Sequence, residues 1–372
     1  MVSRSLQMSG RGREGRISAI FRTTPRISRG HSPRIVQGAA IWCIIHVGDF
    51  TPRRVNARVS LSYGPEMNYR FSGHETFPCR FAWLPKAYAA VSEAPDALQD
   101  DSRAMVVLGV GKNMVRAIRF WMGASGIALP GKDGSFAVTP FGRAIFDRTG
   151  FDPFLEDLRT LWLVHWQLSS NVPEPLFAWD YLLNRWPHPE FCRSDVLASF
   201  SREAERIDRK LSTVTLEQHF DTFLHTYVPT RGKKGDFPED SLDCPLVELE
   251  LIQQVGDRRL DGSGRREPIY AFRRDPKPEV TADLFAYCIN DFWSRRRASE
   301  KTLSLRDVAI AHGSPGQVFK LSEADIRDRL ATIEADSRGA FCFRESAALQ
   351  HITRSEDASS DMLPAVFGHG AS

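Results

Sequence analysis

The sequence has no hydrophobic run long enough to cross a membrane, and its cysteines form no recognisable pattern. The longest apolar stretch near the start, GAAIWCIIHVG, is too short to span a bilayer and lacks the usual cleavage site of a signal peptide. Six cysteines are scattered over 372 residues, and no pair has metal-ligand spacing. We therefore expect a cytoplasmic protein with free thiols and no membrane partner.

Lysine is absent from residues 1–66, which contain eleven arginines and three acids and so carry a net charge of +8. This segment has no helical or strand period, and arginine without lysine is typical of translated GC-rich non-coding DNA. We expect Met67 to be the natural start and residues 1–66 to be disordered or a misannotated extension. The alternative is a basic nucleic-acid-binding arm.

The rest of the chain is mildly acidic, with 38 bases and 43 acids and a net charge of −5. Any DNA binding by the folded part must therefore come from local basic faces rather than from bulk charge.

The stretch LGVGKNMVRAIRFW, residues 108–121, has a Gly-Lys pair after a glycine-rich turn. A phosphate-binding loop would require glycine where this sequence has Val106, and Ser or Thr where it has Asn113. The pattern therefore argues against nucleotide hydrolysis.

The same stretch predicts an amphipathic basic helix from Lys112 to about Ala124. At about 100° per residue, one arc of this helix is cationic. That arc holds Lys112, Arg116 and Arg119, with Asn113 and Phe120 beside it. The opposite arc is apolar and consists of Met114, Val115, Ile118, Trp121 and Met122.

The elements around this helix are in the order of a winged helix-turn-helix. A short helix is predicted at 102–108, and the stretch GIALPGKDGSFAV predicts a hairpin. The next helix begins with Thr139 as its cap and Pro140 at its first position. Arg and Asn match guanine and adenine edges, so we predict binding to double-stranded DNA, with Lys132 of the hairpin turn on a phosphate. The alternative is an ordinary helix with a solvated basic face.

The folded part is predicted to be α+β and predominantly α-helical. We divide the chain into a winged-helix DNA-binding domain at 67–150, an aromatic-rich helical middle at 151–300, a C-terminal winged-helix-like module at 301–354 and a disordered tail at 355–372. Helices are predicted in the middle at 153–168, 174–186, 195–210, 215–227 and 279–297, with one strand at PIYAFRRD. Residues Leu155, Leu158, Trp162 and Trp166 recur at helical spacing and are expected in the core.

The stretch RFSGHETFPCR, residues 70–80, could carry phosphodiester chemistry. His74 and Glu75 could act as a base and a metal ligand, while Arg70 and Arg80 could bind DNA. The alternative is a structured loop in which His74 bonds to the backbone and Glu75 pairs with an arginine.

A second polar stretch, FPEDSLDCPLVEL, contains Glu239, Asp240 and Asp243. Carboxylates at this density can hold Mg²⁺ or Mn²⁺, which would make these residues metal ligands and catalytic candidates. The alternative is a solvated acidic loop followed by a helix start.

Several stretches taken together resemble one known family. They are YRFSGHETFPCRFAWLPKAY, LGVGKNMVRAIRFWMGASGI, VTPFGRAIF, LWLVHWQLS, EDSLDCPLVELELI and SPGQVFKLSE. These resemble the SspB-like DNA-nicking components of bacterial single-strand DNA phosphorothioation systems, a family long labelled only as a domain of unknown function. The resemblance covers about Met67 to Arg354, and nothing before Met67 matches.

The resemblance implies a protein that nicks one DNA strand within a bacterial defence system. Its partners would be a cysteine desulfurase, an ATPase and an ATP-pyrophosphatase-like sulfur-transfer enzyme. The resemblance does not assign catalytic residues to positions in this sequence. A non-catalytic DNA-binding adaptor that recruits those enzymes is the main alternative, and a transcription regulator fits less well because the chain has more helical mass than such a regulator needs.

Overall fold

The computed structural model describes residues 68–207, 209–229, 244–260, 264–346, 349–356, 358 and 361–369. Within them, helices predominate and are accompanied by three small antiparallel sheets. The predicted class, α+β and predominantly α-helical, is confirmed. Residues 1–66 and the acidic residues Glu239, Asp240 and Asp243 lie outside the described part of the chain.

The first group of elements contains the predicted basic helix and hairpin. Its members are α1 (Trp83–Glu93), α2 (Asp101–Leu108), α3 (Lys112–Ala124), β1 (Ala128–Pro130), β2 (Phe136–Val138) and α4 (Pro140–Phe146). Strands β1 and β2 pair antiparallel. The predicted short helix, basic helix and hairpin are therefore confirmed as local structure.

Polar caps and one glycine set the boundaries of these helices. The Asp100 side chain accepts a hydrogen bond from the amide of Arg103 at the start of α2. Gly109 ends α2 with a φ of 66°, a left-handed conformation that glycine adopts without strain, so the chain can turn into α3. The predicted cap of α4 is confirmed, because Thr139 accepts from the amide of Gly142.

The middle of the chain combines helices with a three-stranded sheet. Its elements are α5 (Leu158–Ser170), α6 (Phe177–Asp180), a π-helical turn (Tyr181–Arg185), β3 (Glu190–Cys192), α7 (Arg193–Arg206), α8 (Thr213–Tyr227), a 3₁₀ turn (Pro245–Leu249), β4 (Ile252–Arg259) and β5 (Arg266–Phe272). The predicted strand corresponds to β5, whereas β3 and β4 were not expected. The helix predicted at 174–186 is the short α6 continued by the π-helical turn.

The first predicted helix of the middle begins later than expected, at Leu158. The Asp152 carboxylate accepts hydrogen bonds from the amides of Glu156 and Asp157, at 2.9 and 3.0 Å. Asp152 therefore closes a turn that precedes the helix. Asp157 is the cap, and its side chain accepts from the amide of Arg159.

The last elements form a second three-stranded sheet with its own helices. They are α9 (Ala282–Arg296), β6 (Thr302–Ser304), α10 (Leu305–Ile310), α11 (Pro315–Val318), α12 (Glu323–Asp336), β7 (Phe341–Glu345), β8 (Gln350–Arg354) and α13 (Leu363–Val366). The tail was predicted to be disordered, yet α13 forms within it. Phe367 stacks on Phe151 with ring centroids 4.7 Å apart, which attaches the tail to the folded body.

The two three-stranded sheets share one topology. In the order β3-β5-β4 and in the order β6-β8-β7, the last strand lies between the other two. In both cases helices separate the first strand from the second, and a hairpin joins the second to the third. The same strand topology is therefore present twice along the described chain.

The predicted tryptophan stripe lies in the core. Leu155, Trp162 and Trp166 are fully buried, while Leu158 is partly buried at the start of α5. No helix of the described residues has both the length and the apolar character that a membrane crossing requires.

Candidate nucleic-acid interface

Helix α3 has an apolar face and a cationic face, as the sequence predicts. Its inner face is buried and contains Val115, Ile118, Trp121 and Met122, with Met114 partly buried beside them. Phe120, which the helical projection placed near the cations, is also buried. The side chains of Lys112 and Arg116 lie on the opposite face and are 55% and 46% exposed.

The three cations of α3 converge on a single carboxylate from α2. Asp101 lies 3.2 Å from the Lys112 ammonium, 3.9 Å from the Arg116 guanidinium and 2.6 Å from that of Arg119. Hydrogen bonds from Arg119 and Lys112 hold the pKa of the Asp101 carboxyl below its usual value. Three positive charges thus share the one negative charge of Asp101, and two of them, on Lys112 and Arg116, stay exposed.

Arg119 differs from the other two cations because its guanidinium is used within the fold. Nε donates to the carbonyl oxygen of Leu98 at 2.6 Å, and Nη2 donates to that of Gln99 at 3.2 Å. Its side chain is only 20% exposed. Arg119 therefore holds the loop before α2 against α3, whereas Lys112 and Arg116 present their charges to solvent. The DNA-binding role assigned to Arg119 stays a prediction.

Two further predicted DNA contacts are exposed in this part of the chain. Asn113 lies on the first turn of α3, next to Lys112, and Lys132 lies in the turn between β1 and β2. The hairpin is bonded to the loop between α1 and α2, since the Phe136 amide donates to the carbonyl oxygen of Pro95 at 2.8 Å. Because the hairpin is held by this bond, Lys132 has a defined position next to helices α2 and α3.

His74 lies in a buried histidine pair. Its Nε2 is 3.2 Å from Nδ1 of His219, the two rings are stacked, and the side-chain oxygen of Thr222 is 3.1 Å from Nδ1 of His74. His74 is 3% exposed, and burial lowers its pKa to about 4. The amide of Thr76 also donates to Nδ1 of His74 at 3.1 Å, which is the backbone bond expected in the structural alternative. Its catalytic role stays a prediction.

The rest of the loop at residues 70–80 is held by aromatic and backbone contacts. The Arg70 guanidinium lies 4.5 Å from the ring centre of Phe120, and Arg80 packs over Phe77 and Trp83. Arg70 is also 3.9 Å from Glu174.

Glu75 is half-buried in a left-handed backbone conformation, with a φ of 49°. No ion pair of Glu75 occurs within the described residues, so the arginine partner expected in the structural alternative is not found there. The proposed roles of Arg70, Glu75 and Arg80 stay predictions.

The described residues contain no group of three or more His, Cys, Asp or Glu side chains that could hold a metal ion. The predicted ligands Glu239, Asp240 and Asp243 fall outside these residues, so their assignment also stays a prediction.

Sequence reasoning missed a second basic feature, on the hairpin of β4 and β5. The stretch DRRLDGSGRRE places arginine pairs on both sides of a glycine-rich turn. This signal was available, because strand segments flanking a Gly-Ser-Gly turn are typical of a hairpin. The preceding stretch IQQV lacks the alternation of apolar and polar residues that predicts a strand, so β4 was not predicted.

Comparison with known proteins gives two consistent results. A family described as "Protein of unknown function (DUF4007)" matches residues 71–367. A magnesium-ion-bound SspB crystal structure is 29% identical to this chain, with a TM-score of 0.69 over 81% of this chain and 89% of that one. A second SspB crystal structure is also 29% identical, with a TM-score of 0.70 over 82% and 90%. No curated protein matches. The predicted resemblance is therefore confirmed.

Proposed function

The chain belongs to the DUF4007 family, and we propose that it binds double-stranded DNA and nicks one strand in the course of DNA phosphorothioation. The observation that carries the DNA-binding part is the exposed cationic face of α3. Lys112 and Arg116 stand on a helix that follows another helix across a glycine turn and precedes a hairpin with Lys132 at its tip. This order of elements supports the winged-helix interpretation.

Affinity for duplex DNA tests this part directly. We expect Arg116→Ala to raise Kd and to reduce the slope of log Kd against log salt by about 0.9, the value for one lost phosphate contact. Arg148→Ala is the matched control, because Arg148 is an exposed arginine in the loop after α4. Equal affinities of the two variants at every salt concentration would contradict the role of α3.

The nicking activity rests on the family resemblance and on carboxylate chemistry. One of the similar SspB structures contains a magnesium ion. In this chain, Glu239, Asp240 and Asp243 place three carboxylates within a short stretch, and carboxylate oxygens suit Mg²⁺ or Mn²⁺. We assign the metal site to these residues, with His74 and Glu75 as further catalytic candidates. A bound metal would stabilise charge at the phosphate under attack.

Relaxation of supercoiled plasmid tests the activity. We expect the protein to produce nicked circles with Mg²⁺ or Mn²⁺ and not with a chelator, and the Glu239/Asp240/Asp243 triple alanine variant to bind DNA without nicking it. Glu356→Ala, an exposed carboxylate near the end of the chain, is the control. Nicking by the triple variant at the wild-type rate would remove these residues from the catalytic site.

A second candidate is a non-catalytic adaptor. It is favoured by one observation, the burial and neutral state of His74 among bonded neighbours. Such an adaptor would bind the duplex through α3 and recruit a cysteine desulfurase, an ATPase and an ATP-pyrophosphatase-like sulfur-transfer enzyme. Duplex binding without plasmid nicking at any tested metal ion would favour the adaptor.

A further inference from the structure

The β4–β5 hairpin extends beyond its sheet as a two-stranded arm. Strand β3 pairs with β5 only as far as Ile269, whereas β4 and β5 stay paired outward to Arg259 and Arg266. The outer part of the arm therefore has no third strand beside it. At the base of the arm, Val255 is left unpaired by a β-bulge between Gln254 and Gly256 and is 54% exposed.

Ionic contacts attach this arm to the start of α7. Glu267 is 7% exposed, and its carboxylate accepts from the amide and the hydroxyl of Ser194, at 2.7 and 2.8 Å. Arg258, opposite Glu267 in the hairpin, donates to Asp195 at 2.8 Å and to Glu267 at 3.2 Å. A carboxylate at a helix N-terminus is favourable, so the arm is firmly held along this face.

The next cross-strand pair toward the tip of the hairpin consists of two positively charged residues. Arg259 and Arg266 lie directly opposite each other, both are exposed, and neither has a hydrogen-bond or ion-pair partner among the described residues. Successive side chains of a strand point to opposite faces, so this pair faces away from the Arg258–Glu267 contact. Like charges directly opposite in a sheet are destabilising, which makes the site favourable for an anion placed between them.

We infer that Arg259 and Arg266 form a second DNA contact, in which the two guanidinium groups bind a backbone phosphate of the duplex. Arginine presents planar pairs of donors that match phosphate oxygens, and two arginines across a hairpin can approach one phosphate from both sides. Because phosphates are the same at every base pair, the contact contributes affinity without sequence preference. The inference rests on the proposed DNA binding and adds a site remote in sequence from α3.

The test is a salt titration of duplex binding by the full chain. The Arg259→Ala/Arg266→Ala variant is expected to bind roughly tenfold more weakly at low salt and to lose about 0.9 from the salt slope. The loss should be equal for duplexes of unrelated sequence. The Arg148→Ala/Arg274→Ala variant is the control, because it removes the same charge from two exposed arginines outside the arm.

A charge reversal separates DNA binding from hairpin stability. Arg266→Glu places opposite charges across the hairpin, so we expect a melting temperature no lower than that of the wild type, together with weaker DNA binding than Arg266→Ala. A purely structural role for the arginine pair would not move these two quantities in opposite directions. Unchanged DNA affinity of Arg266→Glu would overturn the inference.

The outcomes also distinguish this inference from the proposed function. If Arg116→Ala weakens binding while the arm variants behave like their control, α3 binds DNA and the arm does not. If the wild-type protein binds no duplex at all, the proposed function fails and the inference fails with it. If the arm variants bind inorganic phosphate and DNA as the wild type does, the pair is a solvated surface feature and the inference is wrong.

Discussion

Asp101 and Arg119 join helix α2 to helix α3, with Oδ1 of the carboxylate 2.6 Å from Nη1 of the guanidinium. The other carboxylate oxygen of Asp101 faces Lys112 and Arg116, at 3.2 and 3.9 Å. One acid therefore positions the whole basic face of α3. The same acid competes with DNA for the two exposed cations, because a phosphate must draw them away from it.

We expect Asp101→Asn to tighten duplex binding. The substitution keeps the shape of the side chain and removes the negative charge, so Kd should fall roughly twofold to tenfold at low salt. The melting temperature should fall as well, because Arg119 loses an ionic partner and α2 loses the acid in its first turn. Fluorescence anisotropy and thermal denaturation measure the two effects. Weaker DNA binding by Asp101→Asn would show that the acid positions the cations more than it competes for them.

We expect Arg119→Ala to affect stability more than Arg116→Ala does. Arg119 donates to the carbonyl oxygens of Leu98 and Gln99, so its removal should cost about 1–3 kcal/mol in the free energy of unfolding. Arg116 is 46% exposed, and its removal should change that free energy by no more than about 0.5 kcal/mol. Urea denaturation measures both values. Equal destabilisation by the two substitutions would contradict the distinction.

Stability should fall as the pH drops below that at which histidines ordinarily titrate. Burial lowers the pKa of both His74 and His165 from 6.5 to about 4. The two histidines bind protons in the unfolded chain as the pH falls through 6.5, but in the folded chain only near 4. The stability that they contribute is therefore fully present above 6.5 and is lost as the pH falls toward 4. Each histidine contributes up to about 1.4 kcal/mol per pH unit.

Denaturant titrations between pH 7 and 5.5 check this expectation, since carboxylates ordinarily titrate below that window. His188→Gln, at an exposed position, is the control for replacing a histidine as such. A flat free energy of unfolding across the window would contradict the neutral, buried state of the histidines.

The local structure around α3 could be predicted because short-range rules decide it. Helix period, the glycine turn, the Thr139 cap and the hairpin turn are all properties of neighbouring residues. The contact of Asp101 with all three cations could not be predicted, since it depends on the angle between two helices. The same holds for His74, whose partner His219 lies far along the sequence.

In the middle of the chain the structure differs from the prediction at two places, and each difference has a physical cause. Asp152 before proline resembles a helix cap, but its carboxylate binds the amides of a turn. Strand β4 was missed because most of it is exposed on both faces and lacks the alternation of a half-buried strand. The sequence pattern therefore did not predict the arginine-bearing arm, which is defined by the pairing of β4 with β5.

The attachment of Glu267 to Ser194 bears on how fast DNA binding would be. An arm that is rigid before the duplex arrives needs no folding step on contact, so little conformational entropy is lost in the encounter. Association should then be limited by diffusion and long-range attraction, and its rate constant should decrease steeply with ionic strength while dissociation changes little.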